Sequence, residues 1–199
     1  MGCWIEQALL IRELTETQKD FIQRLDEVER GAMLDPMLNI WHRGALMEMF
    51  RNETERALRH HSLLTAMMID VDSFKQINDK HGHLAGDAVL REFSQRIKGQ
   101  LRSYDIFGRY GGDEFMVIMP NISAEDAQAR AQHILDSIMT IPVMVHGVQI
   151  HMAASIGLAT ADYKHDTPDA MELLKRADDS LLTAKRTGKG RAERHTASV

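Results

Sequence analysis

Two short stretches of the chain put carboxylates at the ends of apolar runs. One is Ile69-Asp70-Val71-Asp72. The other is Arg109-Tyr110-Gly111-Gly112-Asp113-Glu114-Phe115, which leads into the apolar run Met116 to Met119. Paired glycines between strand-favouring residues mark a tight hairpin turn, because glycine accepts positive φ without a Cβ penalty. Taken alone, a Gly-Gly-acid-acid string reads as a hairpin whose acids face solvent. The earlier acidic strand end changes that reading. If the two strands pair, Asp70 and Asp113 converge on hard cations through oxygen ligands, and bare backbone at Gly111 and Gly112 admits a phosphate beside them.

Other residues offer complementary chemistry. The segment from Asn78 through Gly82, His83 and Gly86 to Asp87 reads locally as a turn and a helix N-terminus. Chemically, an amide side chain is donor and acceptor at once, and a carboxylate accepts from the N1–H and N2 amino group of guanine. Such groups together distinguish guanine from adenine. The aspartates before Ser73-Phe74-Lys75 are also natural caps for the next helical turn. Lys185, Arg186, Lys189, Arg191 and Arg194 form a basic end, ordinarily a solvated helix terminus that offsets the dipole. Arg102-Ser103-Tyr104-Asp105 is expected to end a helix, and its ordinary reading is an intrahelical ion pair worth about 0.3 to 0.5 kcal/mol if exposed. His60, His61, His81 and His83 lack a zinc ligand set, and the first two read as a solvated helix end.

The elements that must position these groups follow from composition and pattern. A chain of 199 residues, 44% apolar, suffices for one packed domain plus an appendage. Its net charge of −5 argues against a general nucleic-acid binder, so an anionic substrate needs local cations or a metal. The single cysteine, Cys3, excludes an internal disulfide and fits a reducing compartment, leaving pairing between chains open. No apolar run approaches membrane-spanning length and the start lacks a signal-peptide pattern. The expectation is a cytoplasmic fragment without membrane contact, with room for a sensor upstream.

Trp4, Ile11, Leu14, Phe21, Leu25, Val28 and Ala32, with Gln7 and Gln18, follow a heptad seam. A parallel two-helix coiled coil is expected over 1–33, with an amphipathic helix folded back on its own domain as the alternative. Asp35-Pro36 breaks that helix, and the globular domain is expected over 34–194, with a tail at 195–199. The pattern predicts helices from Arg43 to His60, through Gln100, from Ser123 to Met139 and from Asp169 to Thr187. It predicts strands over Leu63 to Asp70, Phe115 to Pro120 and Ala153 to Leu158, and a small hairpin from Val143–Val145 to Val148–Met152. This order gives an α/β (α+β) fold with a mixed sheet covered by helices.

Together these motifs resemble the GGDEF family of diguanylate cyclases, from about Asp35 to Arg191. The family makes cyclic di-GMP from two GTP molecules. The resemblance implies a palm-like βαββαβ nucleotide-cyclase fold with a mainly antiparallel sheet, preceded by a long N-terminal helix. It implies two Mg2+ (or Mn2+) ions per active site on Asp70, the Val71 carbonyl, Asp113 and Glu114, with Glu114 as auxiliary ligand or base. It places the triphosphate on Phe74, Lys75, Gly111, Gly112, Lys185 and Lys189, and the guanine on Asn78 and Asp87. It makes Arg102 and Asp105 an inhibitory site for cyclic di-GMP, and it implies a homodimer joined through the coiled coil. The chain departs from the family pattern at Leu38 and His42, which replace Thr and Asn, at Lys189, which replaces Arg, and at Leu182, where Tyr is common. The helix after the hairpin supplies only Arg130 towards the inhibitory site. Two other classes stay open on sequence: a non-catalytic GTP or cyclic di-GMP receptor, and a structural dimerisation module.

Overall fold

A computed structural model describes residues 33–196; the heptad seam lies outside them. The elements in chain order are α1 (Arg43–His60), β1 (Leu63–Val71), α2 (Phe74–His81), α3 (His83–Gly99), β2 (Ile106–Gly111), β3 (Glu114–Pro120), α4 (Ala124–Met139), β4 (Val143–Val145), β5 (Val148–Ile150), β6 (Ala154–Asp162), α5 (Ala170–Arg186) and β7 (Ala192–Arg194). Five strands form one sheet in the order β2-β3-β1-β6-β7, and β4 and β5 form a separate hairpin. All pairings in the large sheet are antiparallel except β6 with β7. The α/β architecture with a mainly antiparallel sheet is thus present.

Strand β1 is central and buried on both faces, which is why it reads as a nearly unbroken apolar run. Its side chains alternate. Met67, Ile69 and Val71 enter a core with Val89, Phe93 and Ile97 of α3 and Ile134 and Ile138 of α4. Leu64, Ala66 and Met68 enter the opposite core with Leu46 and Phe50 of α1 and Leu173 and Leu181 of α5. Phe115 anchors the first core, with ring centroids 5.2 Å from Phe93 and 5.9 Å from Phe107.

Glycine decides two close approaches. A Cβ on Gly157 would stand 2.1 Å from the Leu181 nitrogen and 2.2 Å from the Ala177 oxygen, so only a glycine on β6 lets α5 lie this close to the sheet. On β2, a Cβ at Gly108 would meet the Trp41 carbonyl at 2.5 Å. There the segment before α1 bridges to β2, with Arg109 N–H donating to the Trp41 carbonyl at 2.8 Å. His42 caps α1, its Nδ1 accepting from Gly44 and Ala45 N–H at 2.9 and 3.2 Å. The imidazole thereby does the job of an N-cap amide or hydroxyl.

The short helix α2 and the edge strand β7 were not among the predicted elements, and several element ends differ from the sequence reading, three of them for evident reasons. Helix α3 stops at Gly99, a poor helix former, so Arg102–Asp105 is a separate turn. Its Arg102 N–H donates to Asp105 Oδ2 at 2.8 Å while the guanidinium donates to the Tyr104 hydroxyl at 2.8 Å, in place of the expected intrahelical ion pair. Strand β6 continues to Asp162, because β1 begins at Leu63 and the two pair along their whole length. Strand β5 ends at Ile150, two residues early, since its pairing with β4 runs out there.

Candidate active site

Strands β2 and β3 meet at a turn in which Gly112 takes φ 39°, the left-handed region that favours glycine. The register slips between Arg109 and Gly111, leaving Gly111 opposite Glu114. Between β3 and β1 the ladder ends with Glu114 opposite Asp70. The next connection is from Val71 N–H to the Asp113 carbonyl at 3.2 Å. Asp70, Asp113 and Glu114 are therefore brought together at adjacent strand ends.

Side-chain parity turns Asp70 towards the α5 face, where Lys185 sits at the last turn. Its Nζ lies 2.7 Å from Asp70 Oδ2. Burial pushes the Asp70 carboxyl above its ordinary range; Lys185 opposes this, and the charges of Asp113 and Asp72 add to the rise. Burial also lifts Glu114, and Asp70, Asp113 and Asp178 push the same way against Lys185. The donor set fits magnesium or manganese, being all oxygen, and the burial and repulsion that raise the Asp70 and Glu114 pKa values are relieved by a divalent charge. Among the described residues, no three His, Cys, Asp or Glu side chains close into a ready-made cage. A small hard cation bound through one or two carboxylates and substrate phosphates needs none.

Beyond β1 the chain turns through Ser73 at φ 58° into α2, so Phe74 and Lys75 form the first turn of a helix. Their N–H groups have no carbonyl to meet within the helix. Lys189, from the loop after α5, reaches the same place, its Nζ 3.3 Å from Ser73 Oγ. Lys185 and Lys189 thus flank the strand end and the helix N-terminus.

On the far side of α2, Asn78 Oδ1 is buried without a hydrogen-bond partner. An orphaned buried acceptor is costly and marks a place where a donor belongs. Helix α3 packs there through Gly86, where a Cβ would fall 1.9 Å from that same oxygen and 3.2 Å from Phe74 Cζ. Asp87 follows on α3, at intermediate exposure. Leu84 beside it is 78% exposed.

Arg102 and Asp105 stand before β2, at the opposite end of that strand from Gly111, roughly 20 Å away at strand rise. They line a cavity of about 470 Å³ with Leu34, Trp41, Leu101 and Phe107. Arg130 of α4 donates to the Gln100 carbonyl at 2.5 Å.

Arg109 is a residue whose importance sequence reading passed over. Its Nη1 pairs with Asp35 Oδ2 at 2.9 Å, and its Nε donates to the Gly112 carbonyl at 2.9 Å. Asp35 Oδ1 also accepts from the Met37 and Leu38 amides. One guanidinium thus ties the segment before α1 to the glycine turn. Burial works to raise the Asp35 carboxyl, but the Arg109 hydrogen bond and those amides outweigh it and hold it below the usual carboxylate range. The signal in the sequence was an Asp and an Arg 74 positions apart, which no local spacing links.

A family model described as "Diguanylate cyclase, GGDEF domain" matches residues 32–191. Diguanylate cyclase DgcP of Pseudomonas aeruginosa is 33% identical over 189 residues, covering 94% of this chain and 28% of that protein. Response regulator PleD of Caulobacter vibrioides is 36% identical over 190 residues, covering 92% of this chain and 41% of that protein. The chain therefore spans less than half the length of these curated relatives. Among solved structures, the coiled coil and GGDEF domain of DgcB from Caulobacter crescentus, in complex with c-di-GMP, aligns with a TM-score of 0.85. That alignment covers 94% of this chain and 98% of the other at 24% identity, a likeness of fold.

Proposed function

Since this chain belongs to the GGDEF domain family over residues 32–191, we propose that it is a diguanylate cyclase, condensing two GTP molecules into cyclic di-GMP and pyrophosphate across a homodimer. The observation that carries the proposal is the ladder end that sets Glu114 opposite Asp70, with Asp113 adjoining.

Each domain binds one GTP, and two domains face each other so that the 3′-hydroxyl of one nucleotide attacks the α-phosphate of the other. Asp70, the Val71 carbonyl, Asp113 and Glu114 would hold two magnesium or manganese ions, which would supply charge neutralisation at phosphorus and lower the pKa of the attacking hydroxyl. Glu114, lifted by burial and by its acidic neighbours, serves as auxiliary metal ligand or general base. Phe74 and Lys75 present amides and a cation to the triphosphate, with Lys185, Lys189 and the glycine backbone around it. Lys189 is a point charge where an arginine would be a fork, so its grip is less directional. Asn78 and Asp87 read guanine, Asn78 from α2 and Asp87 from the α3 segment packed on it through Gly86. Positioning the two nucleotides supplies much of the rate.

Arg102 and Asp105 are proposed as the inhibitory site for the product. Arg130 of α4, whose Nη1 donates to the Gln100 carbonyl, is the cation that α4 brings towards this site. Residues 1–33 are proposed to pair two chains.

The test is incubation with GTP and magnesium, with chromatography for cyclic di-GMP. Product that Asp113→Ala abolishes is expected. Binding of GTP or cyclic di-GMP without turnover would favour a receptor, and neither binding nor turnover a structural module.

A further inference from the structure

The second carboxylate of the β1 end, Asp72, has only its charge at Asp70 to show in the chemistry above, yet it is almost fully buried, at 7% exposure. A buried carboxylate is expensive unless its lone pairs are met. Here both oxygens are engaged by different parts of the chain. Oδ1 accepts from the Ser155 hydroxyl of β6 at 2.8 Å, inside the protein. Oδ2 accepts from the Gly190 N–H at 2.9 Å. Gly190 belongs to the loop that leaves α5, and that loop is conformationally unusual. Gly188, Lys189 and Gly190 all have positive φ, at 133°, 61° and 58°. For Lys189 this is a region a side-chain-bearing residue seldom adopts, so something must fix it. On one side the Lys189 N–H donates to the Ala184 carbonyl at 3.0 Å. On the other side the Asp72 carboxylate takes the next amide.

We propose that Asp72 is a positioning residue, a buried clamp that fixes the 187–191 loop to the β1 end so that Lys189 stands over the phosphate end of a nucleoside triphosphate. The inference rests on the reading of this site as a GTP site and deepens it. Asp70 and Asp72 divide the work of the strand end: one faces the reacting phosphates and the other holds a cation at a set distance from them. The geometry gives the clamp two properties that a mere charge lacks. It acts through hydrogen bonds, so an amide can replace the carboxylate, with Oδ1 accepting from Gly190 N–H and Nδ2 donating to Ser155. It also acts through Lys189, so it matters for the outer phosphates and not for the guanine.

The experiment compares wild type, Asp72→Ala, Asp72→Asn, Lys189→Ala and the Asp72→Ala/Lys189→Ala double variant for turnover of GTP and for binding of GTP and GMP with magnesium. Asp72→Ala is expected to raise the KM for GTP by about tenfold, the size of one lost charge-assisted hydrogen bond, with kcat changed far less and GMP affinity unaltered. Asp72→Asn restores most of the loss. The double variant is no worse than the more damaging single one, because both remove the same contact. An unchanged KM in Asp72→Ala, an Asp72→Asn as damaged as Asp72→Ala, or additive effects in the double variant would each overturn the clamp. Should Asp72→Ala fail to fold, Ser155→Ala removes one of the two anchors from a buried site, and a smaller rise in KM for GTP alone is then expected; no rise overturns the proposal. Hydrogen exchange at the Gly190 amide reports the clamp without any nucleotide. It should be slow in wild type and fast in Asp72→Ala, and equal rates would refute the clamp even if the protein proved not to bind GTP.

Discussion

At the scale of single residues, the site holds groups that cost stability for the sake of function. Asp70 and Glu114 have pKa values raised by burial. A carboxyl whose folded value lies above its unfolded one contributes stability below the ordinary carboxylate range and loses it as pH rises through the folded value. Without divalent ions, Asp70→Asn and Glu114→Gln should therefore melt at or above the wild-type temperature at neutral pH, with the difference vanishing in acid. Magnesium should raise the melting temperature of wild type and not of Asp70→Asn. Turnover in both variants should fall by about 100-fold or more. Thermal melts from pH 4 to pH 8 check the first claims, and a neutral-pH melt of either variant well below wild type would contradict them. Gly86→Ala should raise the KM for GTP, because its Cβ collides with Asn78 Oδ1, and cost about 1 to 3 kcal/mol of stability by overpacking. Denaturant titration and steady-state kinetics report the two effects separately.

At the scale of elements, two devices bring the parts together. Gly157 admits α5 onto β6, and with it the Lys185 ammonium onto Asp70. Gly157→Ala meets backbone and not a movable side chain, so a loss of about 3 kcal/mol in a denaturant titration is expected, the upper end for overpacking; a neutral effect would mean α5 lies further out. The Asp35–Arg109 pair joins the segment before α1 to the signature turn. Its carboxyl is held low, so the stability it contributes is present above the ordinary aspartate value and lost as pH falls through the folded one. Asp35→Asn should be less stable than wild type at neutral pH and equal to it in strong acid, and it should also slow turnover by loosening the Gly112 carbonyl.

The strands were legible because β1 and β3 are nearly continuous apolar runs, β1 closing and β3 opening on an acid, and α4 and α5 because Ser123 and Asp169 cap them. The end of α3 was not, because Leu101 continues the apolar period past Gly99 and still packs on the core from outside the helix. Long-range partners such as Arg109 with Asp35, or Asp72 with Gly190, leave no trace in local spacing. His42 looked like a broken motif and proves to keep the cap by another atom.

At the scale of the whole molecule, the proposed reaction needs two nucleotide sites, of which one domain would offer one. The proposed stalk of residues 1–33 keeps a partner at high effective concentration. Deleting it should leave the fold intact and make specific activity rise steeply with protein concentration, whereas full activity from a monomer would remove the stalk's role. The described helices include none long and apolar enough to cross a membrane, and the chain covers less than half of its curated relatives.

The most direct measurement is a crystal structure with manganese and a non-hydrolysable GTP analogue, with anomalous scattering to locate the metal. Manganese bound between the analogue's phosphates and the carboxylates of Asp70 and Asp113, with guanine on Asn78 and Asp87, is the predicted result. Nucleotide and metal bound away from both aspartates would contradict the account.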